Sequence, residues 1–276
     1  MDSVFKSGAV AALFAITALV AGPATAADLS GYRGSLKDAP PVRHYSAGPC
    51  YVRGDIGYSV SDDPDVNWPV VNERPLGSGN FFYDGDAVSN ISIDNAWMGE
   101  VGIGCGSGSR GFRAEIAAGF RGEKKIDGEP IVFTGAVDDP LHTSVTSYTL
   151  MFNVYKDLGR WGRVVPYVGA GVGLSYNMID EVYFTQNPAL TNTIAGDRDV
   201  AFAWALMAGF GYQVSQRTVL DFGYRYIDFG TGKSGRVDNA GNQNPAVEVA
   251  DLAAHEFKVG LRYHFGSSGP LAASYK

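Results

Sequence analysis

The sequence predicts an all-β fold, an eight-stranded antiparallel up-and-down transmembrane β-barrel with long extracellular loops and short periplasmic turns. Three observations carry this prediction. Phe257-Lys258-Val259-Gly260-Leu261-Arg262-Tyr263-His264-Phe265 alternates apolar and polar side chains without a break, the two-residue period of a β-strand. Seven earlier segments repeat that period. The links between the segments are alternately long and short, as barrel loops and turns are.

The elements follow in order. Lys6 precedes a largely apolar run, Ala9 to Ala21, and Ala24-Thr25-Ala26 is a small-x-small cleavage site, so residues 1–26 read as a secretory signal peptide. The run is shorter than the roughly 20 residues a transmembrane helix needs. Residues 27–49, with Pro40-Pro41 and little periodicity, read as an extended periplasmic segment. The barrel is assigned to 50–265, and 266–276 is a short tail rich in small residues.

Within the barrel, strands are expected near 50–60, 95–105, 112–121, 144–156, 164–176, 200–213, 218–227 and 252–265. The second, fourth and sixth links, around Gly106-Ser107-Gly108, Gly159-Arg160-Trp161-Gly162 and Ser215-Gln216-Arg217, are tight turns. If odd strands run outward, each strand has a lipid-facing aromatic near its outer end: Tyr58, Trp97, Phe120, Tyr148, Tyr176, Trp204, Tyr226 and Phe257. That is an interfacial girdle, and Phe112, Tyr212, Tyr263 and Phe265 form a sparser one on the periplasmic side. A soluble barrel would invert the faces and cover its exterior with long charged side chains. Here the polar face is mostly small, as in Gly169, Gly171, Gly173 and Ser175, which suits a narrow lumen.

Charged residues make up only 18% of the chain, below the roughly 25% of soluble domains. The net charge of -7 argues against a nucleic-acid partner, which phosphate binding would require to be basic.

The charges on the polar strand face are Arg53, Asp55, Glu100, Arg113, Glu115, Arg121, Asp221, Arg225, Glu256, Lys258 and Arg262. Their signs nearly balance. Two readings are open, an ion path and an interlocked plug, and the second is favoured because eight strands leave an interior that side chains can fill. Cys50 opens the first strand and Cys105 closes the second, on one face and at one rim, which suits a disulfide in an oxidising compartment. No cofactor or metal is expected. Asp62-Asp63-Pro64-Asp65 lacks the glycine turn and distant glutamate of a calcium loop. The loop carboxylates, such as Asp138, Asp180, Glu181 and Glu248, suit cation bridging to lipopolysaccharide, recognition of a basic surface, or simple solvation. His142-Thr143-Ser144 is the candidate weighed for catalysis, a histidine and a serine two apart on one face of an extended segment, with no carboxylate assignable to orient the histidine.

Several segments together resemble the small outer-membrane β-barrel proteins of alphaproteobacteria, the immunogenic porin-like group related to opacity-type adhesins. They are Ala27-Asp28-Leu29, Ser35-Leu36-Lys37-Asp38-Ala39-Pro40, Tyr51-Val52-Arg53-Gly54-Asp55-Ile56-Gly57-Tyr58, Pro166-Tyr167-Val168-Gly169-Ala170-Gly171-Val172-Gly173, Asp221-Phe222-Gly223-Tyr224-Arg225-Tyr226 and the last strand. The last strand also resembles the assembly signal of outer-membrane barrels, except that residues 266–276 follow its final aromatic. The resemblance implies a surface protein that contributes to envelope integrity, antigenicity and adhesion, with no catalytic residues. Its implied partners are outer-membrane lipid and lipopolysaccharide, the assembly machinery, and a host or neighbouring-cell ligand. The alternatives are a small channel and a lipid A acyl hydrolase.

Overall fold

The computed structural model describes residues 47–67, 88–106, 110–130, 140–184, 193–237, 241 and 246–267, all within the compact unit His44–Lys276. The assigned signal peptide, nearly all of the N-terminal segment and the tail beyond 267 lie outside the described residues. The strands are β1 (Ala47–Ser61), β2 (Asp65–Asn67), β3 (Val88–Ile93), β4 (Ala96–Gly106), β5 (Gly111–Pro130), β6 (Leu141–Asp157) and β7 (Val164–Ile179). They continue with β8 (Tyr183–Phe184), β9 (Asp197–Gln213), β10 (Thr218–Asp228), β11 (Gly232–Lys233), β12 (Glu248–Ala250) and β13 (Ala253–Ser267). No residue among those described is helical.

Eight long strands close the barrel: β1, β4, β5, β6, β7, β9, β10 and β13 pair antiparallel in sequence order, and β13 returns to β1. Closure leaves no open edge in the membrane, where unpaired backbone groups would find no water. Burial follows residue parity. In β13, Phe257, Val259, Leu261, Tyr263 and Phe265 are exposed on the outer wall, while Lys258, Arg262 and His264 are buried. In the outer girdle, aromatics of neighbouring strands meet in pairs, with Tyr58 against Trp97 at 5.3 Å, Phe120 against Tyr148 at 5.1 Å and Trp204 against Tyr226 at 5.6 Å between ring centroids.

Glycine on the inner face makes room for large polar neighbours. A Cβ at Gly104 would lie 2.6 Å from the Tyr51 hydroxyl, and one at Gly169 would lie 2.6 Å from the Tyr155 ring. The small residues of one strand are therefore the space that the next strand's tyrosines occupy.

Two features depart from the sequence expectation. β5 continues to Pro130, well past the expected end at 121, and a register shift between Arg121 and Lys124 resets its parity. Beyond that shift Lys124 and Ile126 point inward while Glu123, Lys125 and Asp127 point out. A bulge adds one residue to one strand, so it inverts the face of everything after it.

The second departure concerns the extracellular links. Parts of them fold over the barrel mouth rather than standing solvated. β11, β12 and β2 form a three-stranded sheet in that order, and Val66, Val247, Val249 and Leu252 are buried with Ile126, Leu141, Ile179 and Phe229 in one apolar cluster. This cap turns its carboxylates out and its valines in, since Asp65 is exposed beside buried Val66.

Candidate functional site

Among the described residues the lumen gathers the buried ionisable side chains. Among the described residues it holds the buried carboxylates Asp55, Glu100, Glu115, Asp157, Asp221 and Glu256 and the buried cations Arg53, Arg113, Arg121, Arg225, Lys258 and Arg262, six of each. Each comes from an inward position on a barrel strand, so the sheet's alternation alone delivers them to the same space.

At the short-turn end, Arg262 makes a bidentate pair with Asp221, 2.9 Å from Nε to Oδ2 and 2.7 Å from Nη2 to Oδ1. Arg113 donates to Asp157 Oδ1 at 2.9 Å and to the Tyr51 hydroxyl at 3.2 Å. Its guanidinium also lies 4.4 Å from the Tyr155 ring centroid and 4.8 Å from that of Tyr167. Aromatic faces and a carboxylate together replace the water that Arg113 loses on burial.

Glu100 is the hub of the middle layer. Its Oε1 accepts from Arg53 at 2.9 Å and Lys258 at 2.7 Å, and its Oε2 accepts from Arg225 at 2.5 Å. Arg53 also reaches Glu115 at 2.6 Å and Asp55 at 2.8 Å. One layer outward, Glu256 joins Arg121 at 2.8 Å to Arg225, so the chain of ion pairs links β1, β4, β5, β10 and β13. Arg121 also donates to Thr149 on β6 at 2.6 Å.

Every residue named from sequence for this network is in the lumen. The sequence reading missed Asp157, placed one residue past the expected end of its strand, and Tyr51, Tyr155 and Tyr167, whose size suggests lipid although their parity points inward. It also missed Lys124, because only the bulge turns that residue in.

Lys124 is a seventh buried cation, and no carboxylate pairs with it among the described residues. It donates to Ser59 Oγ at 3.1 Å and Ser61 Oγ at 2.7 Å, with the Phe229 ring centroid 5.6 Å away. Phe229 lies across the outer end of the lumen, 5.1 Å from the Arg121 guanidinium, and its carbonyl accepts from Ser175 and from Asn177 Nδ2 at 3.1 Å. Below Phe229 the interior is charged, and above it the apolar cap begins.

The membrane-spanning part of β5 ends with the girdle residue Phe120, so Lys124 stands beyond the hydrocarbon. Burial depresses its ammonium from 10.5 to about 8, opposed by Glu256 and assisted by Arg121. The folded state thus binds this proton more weakly than the unfolded chain. The penalty is complete below pH 8 and is relieved as pH rises from about 8 to 10.5. Lys124→Met is therefore expected to stabilise the barrel at pH 7 by roughly 2 to 3 kcal/mol and to flatten the rise in stability above pH 8. Urea unfolding at pH 7 and pH 10 checks this, and equal pH profiles for variant and parent would count against it.

The remaining sequence candidates are accounted for locally. Cys50 and Cys105 are opposed in the β1–β4 register and joined by a disulfide on the outer wall. His142 Nδ1 pairs with Asp127, whereas the Ser144 hydroxyl donates to Asp180 Oδ2 at 2.8 Å. The histidine and serine of the candidate pair are thus engaged by different carboxylates. Among the described residues no group of three or more His, Cys, Asp or Glu side chains is placed to hold a metal ion.

Comparison with known proteins decides the family. The profile of the outer membrane protein beta-barrel domain matches residues 12–265. The chain belongs to that family. Its location is the outer membrane, with the short turns in the periplasm. An uncharacterised protein of Brucella abortus (strain 2308) is 29% identical over 251 residues, covering 78% of this chain and 84% of the relative. Outer membrane protein PagN of Salmonella typhimurium is 28% identical over 158 residues, covering 55% of this chain and 65% of its own length. Among solved structures, OprG of Pseudomonas aeruginosa aligns with a TM-score of 0.48 at 15% identity, covering 80% of this chain and 98% of that one. Neisserial surface protein A aligns with a TM-score of 0.43 at 15% identity, covering 79% and 99%.

Proposed function

We propose that this protein is a closed, non-enzymatic structural barrel of the cell surface, contributing to envelope integrity and presenting its acidic capped end for adhesion and as an antigen, like the opacity-related barrels its sequence resembles. The observation that carries this reading is the filled interior, where an ion-paired lumen lies beneath Phe229 and an apolar cap. A conducting pore keeps its lumen wet and its charges accessible. Here the side chains of Glu100, Glu256, Arg121 and Arg225 are at most 1% exposed.

In this reading residues 1–26 direct export and are removed, residues 27–49 remain in the periplasm, and the assembly machinery recognises the strand that ends at Phe265. The exposed carboxylates of the mouth stand beside lipopolysaccharide.

Planar bilayer recording of the purified barrel is expected to give no stable conductance at physiological salt. A strain lacking the protein is expected to become more sensitive to detergent. Uniform channel openings that change when Arg113 or Glu115 is neutralised would replace this reading with that of a small channel.

A further inference from the structure

The exposed charge of the barrel differs between its ends. Among the described residues around the extracellular mouth, exposed carboxylates such as Asp63, Asp94, Glu129 and Glu181 outnumber the exposed cations Lys125, Arg198, Lys233 and Arg236. At the periplasmic turns the exposed ionisable groups among the described residues are Arg110, Arg160, Arg163 and Arg217, with Lys156 on the outer wall beside them. The carboxylate of those turns, Asp157, is buried and paired with Arg113.

Three of these cations come from two neighbouring turns and a strand between them. Lys156 stands opposite Phe112 in the β5–β6 register, its ammonium 4.2 Å from the ring centroid, on the same outer wall as Ile116 and Phe152. Arg110 comes from the neighbouring turn and lies against the β6–β7 turn, its guanidinium nitrogens 3.8 and 3.9 Å from where a Cβ at Gly159 would be. Arg160 follows directly in that turn. The turn is held tight by reciprocal bonds between Trp161 and Val164, 2.8 and 3.0 Å, with Gly162 at a φ of 63°. Glycine takes that backbone value at no steric cost, and the resulting hairpin leaves Trp161 71% exposed and Leu158 50% exposed.

We propose that this rim patch, with Arg110, Lys156 and Arg160 set around Phe112, Leu158 and Trp161, binds the phosphate of an anionic phospholipid in the periplasmic leaflet. The placement selects a lipid. Lys156 and Phe112 project from the wall that faces hydrocarbon, level with the periplasmic girdle, where a headgroup lies and a soluble partner does not reach. Lysine and arginine stems run along apolar surface while their charges seek the headgroup layer, and an exposed tryptophan anchors at the same depth. Cations supplied to one stretch of the rim by neighbouring turns favour a net negative lipid over a zwitterionic one. Each basic side chain near an anionic surface strengthens attraction roughly fivefold.

The test uses the mature barrel purified in detergent, incubated with equal amounts of phosphatidylglycerol and phosphatidylcholine of matched chains, with native mass spectrometry counting the lipids retained. The parent is expected to retain phosphatidylglycerol over phosphatidylcholine by at least about fivefold, and the preference to fall with rising salt. Arg110→Gln/Lys156→Gln/Arg160→Gln is expected to lose the preference. Asp180→Asn/Glu181→Gln, at the opposite end, is expected to keep it. Should the triple variant not give the heat-dependent gel shift of a folded barrel, Arg160→Gln alone, in an exposed turn, is expected to reduce the preference several-fold. Equal retention of the two lipids by the parent, or an undiminished preference in the folded variants, overturns the proposal. Inorganic phosphate that competes as well as the lipid would also overturn it, by showing that the patch reads phosphate without the membrane.

Discussion

Replacing Glu100 with alanine is expected to destabilise the barrel by about 3 to 5 kcal/mol, the cost of breaking a buried ion network by removing one partner. The magnitude follows from what the carboxylate holds. Arg53, Lys258 and Arg225 all converge on it, and each is nearly inaccessible to solvent. Arg53 keeps Glu115 and Asp55, and Arg225 keeps Glu256, but Lys258 is left with Asp55 at 3.6 Å. The lumen would then carry an excess positive charge in addition to Lys124. Glu100→Gln preserves shape and is expected to cost less. Glu100→Gln combined with Lys258→Met removes one charge of each sign and should recover most of the loss. Urea unfolding in detergent, followed by tryptophan fluorescence and by gel mobility, reads all three. A Glu100→Ala shift below about 1 kcal/mol would mean that water, not the network, solvates this interior. Failure of the double variant to recover would mean that packing rather than charge balance dominates the site.

The barrel was legible because its signal is long and repeated. Strand alternation sorts the outer wall from the lumen over eight strands, and one misread position does not change the result. The lumen network was legible for the same reason: Arg53, Glu100, Arg225 and Glu256 sit at positions whose parity is set by many apolar neighbours. Lys124 was not, because the shift between Arg121 and Lys124 inverts parity, and Gly122, a residue type that can mark a bulge, is one glycine among many in these strands. The cap was hidden by length. Asp65-Val66-Asn67 and Glu248-Val249-Ala250 each alternate correctly, but three residues are too few to separate a strand from a polar loop holding one valine. Their pairing joins two extracellular links separated by most of the chain, which only the closed barrel brings together.

Loss of the Cys50–Cys105 bond is expected to cost roughly 4 kcal/mol by the chain-entropy model for two cysteines 55 residues apart. The bond acts on a different state from Glu100. It joins β1 to β4 at the periplasmic rim, so in the unfolded chain it restricts the whole segment between those strands, whereas the folded hairpin is already held by ten residue pairs from Cys50–Cys105 to Ser59–Ala96. Cys50→Ser/Cys105→Ser should therefore lower the unfolding midpoint while leaving the β-sheet circular dichroism and the lumen intact. Thiol labelling of denatured protein is expected to incorporate nothing without reductant and two equivalents per chain with it; two equivalents without reductant would rule the bond out. Because the cysteines lie on the outer wall and share no partner with Glu100, the two losses should add to within about 0.5 kcal/mol when Glu100→Ala is placed in the serine background. A marked departure from additivity would show that strain at the rim is transmitted through β1 and β4 to the charges they carry, and that the disulfide also positions Arg53 and Glu100.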